Sequence, residues 1–211
     1  MKTKIIAKRF LAPMVLAIAT ATAAMTLVGL DASIAAELNG VKAADEFTVD
    51  GKKLVLNGMG VRKVSKFGFP IKVYVGELYT EQKSKDSDAI LKSDGVKVLI
   101  MHFLVSLDRN QLVEAFQVGL ENGCYINCEK HSAQWGLISS NIVSMRQDNE
   151  IRFTFFKDKL EISSNGPNAK TAMLAAPAEL AGALSHNLLS MFINSKKPPT
   201  EEFRKGLLGL E

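Results

Sequence analysis

Val61-Arg-Lys-Val-Ser-Lys66, then Phe67-Gly-Phe-Pro70, then Ile71-Lys-Val-Tyr-Val-Gly-Glu-Leu-Tyr79 is the stretch on which the fold turns. The two outer runs are rich in residues that suit a pleated, half-buried surface, and the glycine and proline between them interrupt it. The pattern predicts two antiparallel strands joined by a tight turn. With the hairpin centred on Gly68, Arg62 lies directly opposite Tyr74, within side-chain reach. A guanidinium beside a phenol makes an anion receptor where helices cover that face of the sheet. Where nothing covers it, Arg62 is a surface residue stacked on a ring.

Upstream, Glu46-Phe-Thr-Val49 leads through Asp50-Gly51 into Lys53-Leu-Val-Leu56 and then Asn57-Gly58. Asp-Gly and Asn-Gly between apolar alternations are the strongest short hairpin signals. Downstream, residues 85–93 predict a short polar helix, and residues 96–104, apolar on both faces, an interior strand. Asp108 caps a helix with Gln111 three residues on. Leu112, Ala115, Phe116, Gly119 and Leu120 form its apolar face, and a left-handed residue near Asn122-Gly123 is expected to end it. Trp135, Ile138, Ile142 and Met145 give a second helical stripe. Strands return at 151–156, 160–162 and 169–173, with turns at Lys157-Asp158 and Asn165-Gly166. Pro177 opens a helix striped by Leu180, Leu184, Leu188, Met191 and Phe192, and Thr200 caps a last helix over 201–210. Strands, helices, strands and helices in that order define an α+β fold, an antiparallel sheet covered on one face by helices.

Residues 1–36 read as a secretory leader: Lys2, Lys4, Lys8 and Arg9, an uncharged run over 10–30, then small residues at Ser33, Ala35 and Ala36 that suit a leader peptidase. The run is also long enough to cross a hydrocarbon core of ~30 Å, so an uncleaved anchor is the rival. Pro13 and the weakly apolar Ala19-Thr-Ala-Thr-Ala-Ala24 oppose it. Residues 37–211 then form one domain, periplasmic or secreted, with no further membrane span. Without the leader the chain carries 22 basic and 21 acidic residues, a balance that suggests neither nucleic acid nor an anionic membrane as partner.

Cys124 and Cys128 are the only cysteines. In an oxidising compartment so close a pair reads first as a disulfide. Free thiols, or a metal held with His131, are the alternatives, and three ligands without a fourth are a weak zinc signal. No cofactor or metal is expected. There is no G-x-S-x-G, H-E-x-x-H or phosphate-cradling glycine loop. His102, in an apolar strand, reads as a satisfied core or edge histidine, and His131 and His186 as solvated.

Leu56-Asn-Gly-Met-Gly-Val-Arg-Lys63 followed by Phe69-Pro-Ile-Lys-Val-Tyr-Val-Gly-Glu-Leu-Tyr79 resembles the chalcone isomerase-like family, in which a Gly-x-Gly-x-Arg segment precedes a strand of this form. The resemblance is closest to the bacterial exported branch. It implies an open-faced sandwich with a cleft between sheet and helices. The plant enzymes of the family close a chalcone to a flavanone, and Arg62 falls on their arginine. Their threonine is replaced here by Tyr74, and their helix-start tyrosine by Leu112 or a neighbour. Neither donor carries over, so no catalytic residue is assigned. In the non-catalytic fatty-acid-binding members the arginine and a tyrosine on the adjacent strand hold a carboxylate, which Arg62 and Tyr74 match. The resemblance therefore implies a binding protein for a fatty acid or similar small apolar carboxylate. An isomerase acting on a small apolar enone is the alternative.

Overall fold

Two hairpin-built sheets, five α-helices and one short 3-10 helix (Cys128–Lys130) make up the described chain, which in this computed structural model comprises residues 34–175, 182–194, 196 and 198–210. The expected leader lies almost wholly outside those residues, as do Pro177 and Leu180. Strands β1 (Ile34–Leu38) and β2 (Val41–Ala44) pair only with each other. The main sheet is an antiparallel meander of seven strands, each paired with its sequence neighbours: β3 (Glu46–Val49), β4 (Lys52–Lys66), β5 (Phe69–Thr80), β6 (Lys97–Phe103), β7 (Glu150–Phe155), β8 (Lys159–Ser164) and β9 (Lys170–Ala175). The helices are α1 (Ser87–Lys92), α2 (Arg109–Gly123), α3 (His131–Ser139), α4 (Ala183–Ile193) and α5 (Glu201–Leu207). Among the described residues no helix is long and apolar enough to cross a membrane.

Strand alternation divides the sheet into two faces. Leu78, Leu99, Met101, Phe103, Ile151 and Phe153 point one way and share the main core with Leu112, Phe116, Leu188, Phe192 and Phe203 of the helices. Leu56, Tyr79, Val98 and Ile100 point the other way, into a smaller cluster with Ala43, Phe47 and Met59. The α+β layout with helices on one face is therefore as expected from element order. The opposite face is not bare.

Four details differ from the expectations. Asn57-Gly58 is not a turn but lies inside the long strand β4, at a bulge between Leu56 and Gly58. The pair seats α5: Asn57 Nδ2 donates to the Leu207 carbonyl at 2.8 Å, and Asn57 Oδ1 accepts from Ser84 N at 2.7 Å. Helix α2 has the expected capping box of Asp108 and Gln111, but it ends without a left-handed residue, since Cys124 at its C-cap has φ −59°. Gly123 is there for contact. A Cβ on it would lie 2.4 Å from Met191 Cα, and its carbonyl accepts from Ser190 Oγ at 2.7 Å. Ile142 and Met145 fall beyond α3, where Met145 instead bridges to Leu107. The β1–β2 hairpin is the fourth difference, and the cleavage point expected at Ala36 falls within β1.

Candidate functional site

Arg62 and Tyr74 are directly opposed in the β4–β5 ladder, as the hairpin pattern predicts. The route to that register is different. The turn is the two-residue Phe67-Gly68 loop closed by Lys66 and Phe69, and a bulge between Arg62 and Lys63 shifts the pairing by one, so that Lys63 faces Lys72. The extra residue on β5 is Val73. Bulges re-aim side chains, and here the consecutive residues Val73 and Tyr74 both line one cavity, although neighbours in a regular strand face opposite ways.

That cavity, of about 540 Å³, lies between the β4–β5 hairpin and helices α2 and α4. Its apolar wall is Val64, Val73, Leu112, Phe116, Met191 and Phe192, with Pro198 and Pro199 at one side. Arg62 is half-buried and, among the described residues, donates from Nη1 to the Lys63 carbonyl, one of the five N–H donors that a guanidinium carries. The Tyr74 ring is buried, edge-on to Phe203 with centroids 5.4 Å apart. Burial pushes its phenol well above the ordinary range, with the Arg62 charge working the other way. Tyr74 is thus a neutral hydroxyl at every physiological pH, able to donate a hydrogen bond. Two polar donors, one cationic, stand on the wall of an apolar cleft. Leu112, an aliphatic side chain, occupies the α2 wall.

The cavity wall includes residues that the sequence pattern did not bring to Arg62: Met191 and Phe192 of α4, the Pro198-Pro199 step, and Gln111, whose side chain also closes the α2 capping box. The periodicity of α4 marks Met191 and Phe192 as inward-facing but not toward which strand.

Elsewhere, Cys124 and Cys128 form a disulfide with Cα atoms 5.8 Å apart. This takes both thiols out of the alternative metal site. Among the described residues no group of three or more His, Cys, Asp and Glu is arranged to hold a metal ion. His102 lies on the opposite sheet face, with Nδ1 2.8 Å from Glu150 Oε1 and Nε2 2.9 Å from the buried Glu77. Burial disfavours its charge, but Glu150 and Glu77 together prevail and raise its pKa to about 9. It is a strand histidine held between two carboxylates, as a non-ligating role requires, although Nε2 and Glu77 Oε1 face each other by charge and without hydrogen-bond geometry. His186 is not solvated as expected: it is half-buried and stacked on Tyr125 at 4.9 Å, and burial lowers its pKa. A larger recess of about 700 Å³ borders His186, Tyr125 and Lys97. Of its lysines, Lys157 pairs with Asp94 at 2.8 Å, Lys92 with Asp88 at 3.5 Å, and Lys97 donates to the Ser93 carbonyl, while Asp94 and Asp158 add negative charge to its wall.

A sheet half-covered by helices, with an arginine and a tyrosine facing one apolar cleft, is the framework of a small-molecule site. The chain belongs to the chalcone isomerase-like family, whose pattern it matches over residues 35–209. No curated protein matches it in sequence. Among solved structures it is similar to a fatty-acid binding protein of Arabidopsis thaliana, with a TM-score of 0.59 and 17% identity over 80% of this chain and 92% of that one.

Proposed function

We propose that this is an exported, non-catalytic binding protein for a fatty acid or a similar small apolar carboxylate, held with its head group on Arg62 and Tyr74 and its tail in the adjoining cavity. The observation that carries the reading is the pairing of a half-buried guanidinium and a buried, neutral phenol on the wall of a cavity otherwise lined by Val, Leu, Phe and Met. A carboxylate accepts from both donors, and its tail replaces water along the apolar wall. The similar Arabidopsis protein is described as fatty-acid binding, which supports the same ligand class. The isomerase alternative needs several donors placed around a developing charge, and Leu112 in the α2 wall supplies none.

The test is titration calorimetry of the delipidated protein with palmitate and with hexadecanol. Palmitate should bind, and Arg62→Ala should weaken palmitate far more than hexadecanol. Failure of both ligands to bind, or equal losses for both, would show that the pair is a structural contact.

A further inference from the structure

The tip of the β4–β5 hairpin is more apolar at its surface than folding requires. Phe67 and Phe69 are 89% and 74% exposed. Phe67 also sits in left-handed backbone, with φ 54° followed by Gly68 at 84°. Both central residues at positive φ define a turn that favours Asn, Asp or Gly first, because a Cβ is strained there. The chain itself supplies the comparison. Among the described residues the other two such two-residue hairpin turns are Asn39-Gly40, at 52° and 83°, and Asp50-Gly51, at 53° and 74°. At the third, a large aromatic replaces the residue type that suits the geometry, and its ring goes to solvent.

The surroundings are basic. Residues 61–76 contain Arg62, Lys63, Lys66 and Lys72 and no acid. Lys63 is paired with Glu202 of α5 at 2.5 Å, and Lys72 with the neutral Asn39 side chain. Lys66 lies 5.9 Å from the centre of the Phe67 ring. The β5–β6 ladder ends at Tyr74 opposite Phe103, with one further hydrogen bond from Leu104 N to the Val73 carbonyl at 2.9 Å, and beyond it the hairpin continues to its tip as a two-stranded ribbon. The near-neutral charge of residues 37–211 conceals this local concentration.

We propose that this tip docks on an anionic lipid bilayer, with Phe67 and Phe69 entering the boundary between headgroups and acyl chains and the lysines meeting the anionic headgroups. Interfacial helices with lysine beside Trp, Phe and Leu bury their apolar face roughly 5–10 Å into such a boundary, the same side-chain chemistry that the tip presents, and basic residues near an anionic leaflet add attraction that salt weakens. Five residues of strand, about 16 Å, separate Phe67 from Arg62, so the docked tip holds the cavity close to the headgroup plane. Docking itself does not depend on what the cavity binds.

The experiment uses protein purified from its native host and carrying Phe67→Trp, with the emission of Trp135 in the parent chain subtracted. Phosphatidylglycerol vesicles should shift the new emission to the blue, and lipids brominated on their acyl chains should quench it. Phosphatidylcholine vesicles, or raised salt, should reduce both signals. Phe67→Asn separates docking from folding: it should raise the unfolding midpoint, by relieving the turn, while lowering the partition onto phosphatidylglycerol vesicles at least about tenfold. No blue shift or quenching, equal signals on neutral vesicles, or unchanged partition of Phe67→Asn would each overturn the proposal. So would a dimer that forms in sedimentation and is lost in Phe67→Asn without any quenching, which would assign the tip to a second copy of the chain.

Discussion

Gly60 of β4 lies directly against the backbone of Phe203 in α5, so close that a Cβ on Gly60 would stand 2.4 Å from the Phe203 carbonyl oxygen. The contact is reciprocal one turn further on, where a Cβ on Gly206 would stand 2.2 Å from the Met59 carbonyl. The glycines that precede Arg62 are thus the seat of the last helix. Phe203 in turn packs edge-on to Tyr74 at 5.4 Å, so the seat also positions a site residue.

Gly60→Ala should accordingly destabilise the protein by about 3 kcal/mol, since neither backbone can yield without moving α5. Gly136→Ala is the control. Gly136 lies within α3, and a Cβ there meets nothing within 4 Å. Alanine should stabilise it by about 0.5–1 kcal/mol. Urea unfolding of both variants checks the pair. A small loss at Gly60 would mean that α5 is held elsewhere.

Stability should fall on the alkaline side through His102. Its folded pKa, about 9, exceeds the ordinary value of 6.5. Its contribution is therefore complete below pH 6.5 and lost as pH rises toward 9. Glu150, held below its ordinary range chiefly by its hydrogen bond to His102, works on the acid side: its contribution is present above 4.5 and lost as pH falls. Unfolding free energy should drop by about 2 kcal/mol between pH 6.5 and 9.5, the full shift being discounted for partial solvent access. His102→Gln should flatten that slope. Equal slopes in the two proteins would remove His102 as its source.

Asn187 should matter more than the disulfide it braces. It is fully buried; Oδ1 accepts from the backbone N of Tyr125 and Ile126 at 2.8 and 2.9 Å, and Nδ2 donates to the Ile126 carbonyl and Gln134 at 2.7 and 2.9 Å. Asn187→Ala strips partners from all four and should destabilise by about 3 kcal/mol. Removing the bridge with Cys124→Ser and Cys128→Ser releases only a very short loop, worth about 2 kcal/mol in chain entropy. Thermal unfolding of the two variants ranks them, and the reverse order would place the loop's stability in the bridge.

The hairpin, the strand sequence and the Arg62–Tyr74 opposition were legible because each rests on local spacing. The opposition was reached through a turn centred on Gly68, whereas the Phe67-Gly68 loop shifts the register by one, and the bulge between Arg62 and Lys63 cancels the difference. That bulge has no sequence signature. The β1–β2 hairpin was hidden for another reason: Ile34 to Ala36 are small or apolar residues that also end a leader convincingly, although Asn39-Gly40 is a turn signal of the strongest kind. Asn57-Gly58 misled in the opposite direction, because the same dipeptide serves a turn or a close backbone contact, and only α5, nearly 150 residues away in sequence, decides which. The far wall of the cavity was illegible on the same grounds. A helical stripe shows that Met191 and Phe192 face inward but carries no record of the strand they meet.

The proposed site separates into a head and a tail, and a homologous series of saturated fatty acids can read the two apart. Each methylene taken from water into the cavity wall contributes roughly 0.8 kcal/mol, about fourfold in affinity. Affinity should climb by that factor per carbon until the cavity of about 540 Å³ is full, then level off. The head group supplies a constant. Tyr74→Phe removes one hydrogen bond to an anionic acceptor, worth about 1.5 kcal/mol, and should lower every member of the series about tenfold while leaving the slope per carbon unchanged. Arg62→Ala should produce a larger constant loss, because it also leaves a carboxylate without its counter-charge at the cavity wall. Val73→Ala acts on the wall and should lower the slope instead. Calorimetric or competition titrations across the series distinguish these outcomes. A flat dependence on chain length would put the tail outside the cavity, and a change of slope in Tyr74→Phe would mean that the phenol lines the tail and does not hold the head group.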